Sequence, residues 1–293
     1  MIFRTKKPTL LDRFWHLAHL AQRKKRSQRA HIHMLNAAQA LGVVNDNIFK
    51  FLVVFLLIQL KGVESSPQVL FWIGVIYVLP FLLFSSAAGV IADSLSKQRL
   101  IIALKFSELV IVALGTLALY FESTWSCYTL LFLLSMQSAL FGPPKYSIIP
   151  ELVRKKAISH ANGLITSSTY IAIIIGTALA TTLAKVTDST WWIAGSATIF
   201  IALLGLIASF FVPYTKPKES GRKALLFFPK ELYHTMQRAR REPFLLSALL
   251  GTSSFLFLGA FFQLNIVPFA IESLDLDQVD GGYLFLITAI GIA

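Results

Sequence analysis

Cysteine is all but missing. Cys127 stands alone in 293 residues, so no disulfide can close within the chain. Charge is scarce too: Asp, Glu, Lys and Arg make up 14% of the residues, against about 25% in soluble domains. Acid is the scarcer sign, with 15 residues against 27 basic ones. That poverty of charge, with 55% apolar residues and a mean hydropathy of +0.66, excludes an ordinary soluble domain and indicates an integral membrane protein. No phosphate-cradling glycine loop, nucleophile elbow or paired catalytic carboxylates occur, so nothing marks an enzyme or a cofactor. His16, His19, His31 and His33 lie in a basic stretch without acid or Cys partners, which favours solvation over metal binding. A secretory signal is lacking as well, because a basic tail of dozens of residues precedes an apolar run too long for an h-region. The net charge of +12 invites nucleic acid as a partner, but the placement of Lys and Arg argues for membrane topology instead.

What the chain has is long apolar runs, at 37–60, 69–92, 100–120, 125–141, 163–183, 191–212, 244–270 and from 282 onward. Each complete run is near the ~20 residues a spanning helix needs. Short alternating segments of the kind that build membrane barrels are not seen. The expectation is an all-α membrane protein with seven spans and part of an eighth. From 282 to the last residue there is only ~18 Å of helix against a hydrocarbon core of ~30 Å, so the chain is expected to be cut within the eighth span.

The loops test this count. Lys and Arg collect in the tail, in Lys97 and Arg99, in Lys145, Arg154, Lys155 and Lys156, and between Lys216 and Arg241. The alternate loops hold only Lys61 and Lys185, and the one after the seventh run has Glu272, Asp275, Asp277 and Asp280 with no base. By the positive-inside rule the N-terminus is cytoplasmic. The organisation expected is a basic cytoplasmic tail over 1–36, a six-helix bundle over 37–213, a basic cytoplasmic linker over 214–242 and the start of a second bundle over 243–293. Within the tail, Leu11, Phe14, Trp15 and Ala18 recur at helical spacing before Arg23, Lys24, Lys25, Arg26 and Arg29. Two readings fit, an interfacial helix on an anionic leaflet and a mobile basic tail that fixes orientation.

The first run carries Asn45, Asp46, Asn47 and Lys50 near its middle. A charge at the bilayer centre costs roughly 2.5–3.5 kcal/mol on insertion scales, so such groups turn toward a bundle interior or a wet cavity. Asp46 and Lys50 are one turn apart, and Gln39 shares their face two turns earlier. They either neutralise each other as an i, i+4 pair or line a path for a solute carrying both charges. Asn162, Thr166 and Thr169 make another polar stripe in the fifth run, read either as helix packing or as more of the path. Glu108 lies in the third run one turn from Lys105, so pairing and ion coupling compete there. Pro143 and Pro144 deny two backbone donors and are expected to end or kink the fourth helix, leaving Lys145 and Tyr146 at a cytoplasmic mouth or as interfacial anchors.

The loop Gly89-Val90-Ile91-Ala92-Asp93-Ser94-Leu95-Ser96-Lys97-Gln98-Arg99 resembles the signature between the second and third helices of the major facilitator superfamily. The resemblance implies a conformational latch, with Gly89 for close helix approach, Asp93 near a helix N-terminus, and Lys97 and Arg99 on helix C-termini or carboxylates. Three further stretches narrow the match: Asn45 to Lys50; Phe141-Gly142-Pro143-Pro144-Lys145-Tyr146 with the residues up to Leu152; and Ala161-Asn162-Gly163-Leu164 with Ser167-Ser168-Thr169. In order and spacing they look like the lysophospholipid transporter family. That resemblance implies a major facilitator-type bundle, its six-helix N-terminal half plus the first one or two helices of the second. It also implies a secondary transporter that flips lysophospholipids, with lysophosphatidylethanolamine the expected substrate, toward the cytoplasmic leaflet of the inner membrane for reacylation. Asp46 is then the partner of the amine and Lys50 of the phosphate, with Gln39 and Asn47 in support, and Lys145 a further phosphate ligand. Membrane lipids, the lysophospholipid and an acyltransferase or acyl-carrier-protein synthetase are the implied partners. The competing readings are an exporter of drugs or metabolites, the membrane part of an acyltransferase fusion, and an inactive remnant. Without an opposing half of the cavity, these 293 residues are not expected to transport by themselves.

Overall fold

The computed structural model describes residues 10–215, 233, 237, 240–242, 244–276, 280 and 284, with side chains from residue 30 onward except 86, 256, 260, 263, 264 and 267. Most of the expected linker, the eighth run apart from residue 284, and the side chains of residues 1–29 lie outside the described residues. The elements are helical throughout, and no strand occurs among the described residues.

The first helix, α1 (Leu10–Lys61), is 52 residues long, so the tail's apolar stretch and the first span are one unbroken helix. The reason is local: no Pro and, before Gly42, no Gly interrupts it, and Ala, Leu, Gln, Lys and Arg are good helix formers. Then come α2 (Ser66–Ser94), α3 (Lys97–Tyr120), α4 (Thr124–Ser147), a single turn α5 (Ile149–Leu152), α6 (Ile158–Val186) and α7 (Trp191–Phe210). The last helix, α8 (Leu245–Leu274), covers the seventh apolar run. Left-handed residues mark three of the turns: Gly62 after α1, Glu122 after α3 and Asp188 after α6, with φ of +86°, 50° and 48°.

Six segments among the described residues are long and apolar enough to cross a membrane, the first being Ala30–Lys61. The chain is therefore a multi-pass membrane protein. In the first segment 89% of the most apolar window is buried, against 22–44% in the other five, so α1 is the central helix. It packs chiefly on α6 and α7, while α2 packs on α4, and α3 on α4 and α7. Close approach is built in at Gly176 of α6, where a Cβ would lie 2.7 Å from the Val44 carbonyl oxygen of α1. Across the expected linker, Ile266 and Ile271 of α8 pack on the main apolar cluster, and the Lys185 ammonium at the end of α6 pairs with Asp280.

Two apolar clusters fill the bundle. The larger takes Ile48 to Ile58 of α1, Val112 to Leu119 of α3, Cys127 to Leu134 of α4 and Ala172 to Ala184 of α6. The smaller, on the side where the first span begins, takes Ile32 and Leu35, Ile101 and Leu104, Phe141, and Ala161 and Ile165. Each of these four helices changes from apolar to polar at the level between the clusters: Gln39 to Asp46 in α1, Lys105 and Glu108 in α3, Gln137 and Ser138 in α4, Ser168 and Thr169 in α6. Together the changes make one polar layer inside an apolar bundle.

Pro143 and Pro144 do not end α4, which continues through them to Ser147. The helix recovers bonding at once, with the Ile148 amide donating to the Pro144 carbonyl at 3.1 Å. Pro80 likewise sits inside α2.

Candidate functional site

The polar layer lines a cavity of about 290 Å³ walled by α1, α2, α3, α4 and α6. From α1 come Gln39, Gly42, Asp46, Asn47 and Lys50; from α3, Lys105 and Glu108; from α4, Gln137, Ser138, Phe141 and Lys145; from α6, Thr169 and Ile173; from α2, Tyr77 and Phe81. Helical geometry explains the assembly, because residues three and four apart share a face and polar groups on a membrane-spanning helix favour the bundle interior.

Gln39 is the hub that ties three helices. Its amide nitrogen donates to the Ser168 hydroxyl at 2.8 Å, and its oxygen accepts from the Thr169 hydroxyl at 3.1 Å and from the Lys145 ammonium at 3.4 Å. Asp46 reaches α4, where the Ser138 hydroxyl donates to its Oδ2 at 2.5 Å; its Oδ1 is buried with no hydrogen-bond partner. Lys50 does not pair with Asp46. Its ammonium donates to Asn47 Oδ1 at 3.2 Å and lies 5.1 Å from the ring centres of both Phe51 and Tyr77. Of the two readings open in the sequence, the close i, i+4 pair is not formed: the carboxylate is held from α4 and the ammonium by Asn47 and two aromatic faces.

Glu108 and Lys105 do pair, at 2.7 Å with both side chains buried. Asn45 and Gln137 add donors to the same carboxylate at 3.2 and 3.5 Å. Gly42 makes room for this pair, since a Cβ there would stand 2.2 Å from the Lys105 ammonium nitrogen.

A second, apolar cavity of about 500 Å³ lies between α1 and α2, walled by Phe51, Val54, Leu70, Phe71, Ile73, Gly74, Val78 and Leu82. Lys50 and Tyr77 line both cavities. The two volumes lie close to the ~300–1,000 Å³ usual for ligand sites.

Of the residues singled out from the sequence, Gln39, Asp46, Asn47, Lys50, Glu108, Lys145 and Thr169 line the polar cavity. Asn162 and Thr166 do not line it, and Thr166 is exposed, so the α6 stripe reaches the cavity only at Thr169. Lys145 points back into the bundle, with its ammonium 4.8 Å from the Tyr146 ring centre, while Tyr146 is 46% exposed. In the 89–99 stretch, buried Lys97 bonds Glu151 of α5 at 2.6 Å. Gln98 donates to the Val212 carbonyl at 2.5 Å, and Arg99 lies over the Tyr214 ring. Asp93 is half-buried. No neighbour stands within 4 Å of a Cβ built on Gly89, so close helix approach at that glycine is not made among the described residues. Sequence reasoning missed Ser138, Gln137, Tyr77 and Ser168. The signal for two of them was present, a Gln-Ser pair near the end of the fourth run. Among the described residues no group of His, Cys, Asp and Glu forms a metal site.

A multi-pass helical bundle whose central helix carries opposite charges into a polar cavity has room to hold a polar group among its helices. The chain belongs to the Major Facilitator Superfamily, whose family model matches residues 37–293. This membership points to a transporter and away from an enzyme. Similar relatives are proteins named lysophospholipid transporter: one from Enterobacter sp. (strain 638), 26% identical over 264 residues, covering 88% of this chain. Others come from Cronobacter sakazakii, 28% identical over 268 residues, and Klebsiella pneumoniae, 28% identical over 264, each covering 87% of this chain. The chain spans 62% of the length of each of these relatives.

Proposed function

We propose that this chain supplies the path-lining bundle of a secondary transporter that moves lysophospholipids toward the cytoplasmic leaflet of an inner membrane, for reacylation by an acyltransferase or acyl-carrier-protein synthetase. In this reading residues 1–36 are the cytoplasmic tail, 37–213 the first bundle, 214–242 the cytoplasmic linker and 243–293 the beginning of the second bundle. The observation that carries it is the adjoining pair of cavities, one polar and charged, one apolar, with Lys50 and Tyr77 in the wall of both. A soluble metabolite would use only the first and a sterol-like molecule only the second; an amphiphile with one acyl chain uses both. The phosphate would meet Lys50 at the junction, the acyl chain would enter the α1–α2 cavity, and the amine or a hydroxyl would reach Asp46 Oδ1, which has no partner. The relatives' names agree with this assignment.

The test is lipid binding by the purified 293-residue chain in phosphatidylcholine nanodiscs, counted by native mass spectrometry. Lysophosphatidylethanolamine is expected to bind, monoacylglycerol and glycerophosphoethanolamine to bind far more weakly, and Asp46→Asn to cost about tenfold in affinity, the equivalent of one hydrogen-bonded charge. Equal retention of monoacylglycerol and lysophosphatidylethanolamine would sink the assignment.

A further inference from the structure

The polar cavity is not electrically balanced. Three ammonium groups, Lys50, Lys105 and Lys145, face two carboxylates, Asp46 and Glu108. Lys105 and Glu108 close on each other at 2.7 Å and drop out of the count. That leaves two cations and one anion, and no ion pair joins any of them among the described residues. Lys50 is held by an amide oxygen at 3.2 Å and two rings, and Lys145 by an amide oxygen at 3.4 Å and one ring, so Asp46 is the one carboxylate left to answer both and it forms an ion pair with neither.

We infer that the cavity selects net-anionic lysophospholipid head groups over zwitterionic ones, and that Lys145 sets this preference. The inference rests on the lysophospholipid reading above and adds a head-group class to it. A head group with a phosphate and an ammonium can satisfy Lys50 and Asp46, which leaves Lys145 charged and unmatched within the bundle, where an unpaired charge is costly. A head group with a phosphate and hydroxyls carries one net negative charge. Its phosphate oxygens engage the two ammonium groups, and a hydroxyl donates to the unpartnered Asp46 Oδ1. Lys145 is the discriminating cation because Lys50 stands at the junction of the two cavities, where the phosphate of either head group is held, whereas Lys145 lines only the polar one.

The experiment measures the affinities of lysophosphatidylglycerol and lysophosphatidylethanolamine, with the same acyl chain, for the 293-residue chain in phosphatidylcholine nanodiscs. The expected result is a preference of about tenfold for the glycerol head group. Lys145→Gln should bring the ratio near one by weakening lysophosphatidylglycerol, with lysophosphatidylethanolamine changed less than about twofold, and Lys145→Arg should keep the preference. The wild-type ratio tests the charge argument even if the glutamine variant fails to fold. Overturning results are a wild-type ratio at or below one, or a glutamine variant that loses both lipids in equal proportion. Displacement of the lipid by inorganic phosphate or glycerophosphoglycerol at comparable concentration would also overturn it, by making the ligand a free anion. If neither lysolipid binds the wild type, the lysophospholipid reading itself fails, an outcome distinct from a lost preference.

Discussion

Lys105 and Glu108 show how a single pair of residues can be costly and necessary together. Both are buried, and the carboxylate takes hydrogen bonds from three helices: Lys105 on its own α3, Asn45 on α1 and Gln137 on α4. A buried ion pair contributes little net stability, but losing one partner strands the other charge, at about 3–5 kcal/mol. Glu108→Gln alone is therefore expected to lower the thermal unfolding temperature of the purified chain sharply, and Lys105→Met with Glu108→Gln to recover most of the loss. Equal destabilisation by the single and double variants would show that the pair does not couple. Asp46 differs, because one of its oxygens is left unpaired in the cavity wall. Strain of that kind is what a ligand can relieve.

At the scale of elements, the α1–α6 crossing decides how close the central helix comes to its neighbour. A Cβ on Gly176 would meet the Val44 carbonyl at 2.7 Å and Asn47 Cβ at 2.9 Å, and backbone cannot rotate away as a side-chain tip can. Gly176→Leu is expected to destabilise by more than the ~1–3 kcal/mol of ordinary overpacking, and to disturb Asn47 in the cavity wall. Gly163 on the same helix, where a Cβ meets nothing within 4 Å, is the control: Gly163→Ala should fall within about 0.5 kcal/mol of the parent. Thermal unfolding of the two variants side by side checks both expectations. The continuity of α1 also belongs here. The basic residues from Arg23 to Arg29 lie on the same helix as Asp46 and Lys50, joined by backbone with no intervening turn.

For the whole molecule, the distribution of Lys and Arg between alternate loops predicts a cytoplasmic N-terminus. Cys127 is buried, so with Cys127→Ser as background, introduced cysteines report topology without interference. Cysteine at Glu64 or Glu122 is expected to react with an impermeant maleimide in intact cells, and cysteine at Lys156 only after permeabilisation; the reverse pattern would invert the orientation. Native Cys127 itself should stay unlabelled until the protein is unfolded.

The spans were legible in the chain because hydrocarbon thickness imposes a length and backbone hydrogen bonding imposes a helix, and both constraints act locally on each run. The charges of the first run were legible for the same reason, since a bilayer makes Asp46 and Lys50 expensive anywhere but inside. Their partners were not. The i, i+4 spacing of Asp46 and Lys50 allowed a pair, yet Ser138 and the Phe51 and Tyr77 rings captured them instead, and Lys145 turned inward to Gln39 although two prolines before it suggested a helix end. The chain alone determined which stretches form long apolar helices and that one of them carries charge along its middle; helix packing alone decided which polar groups meet, because contacts between α1, α4 and α6 depend on rotation and close approach that no local sequence pattern encodes.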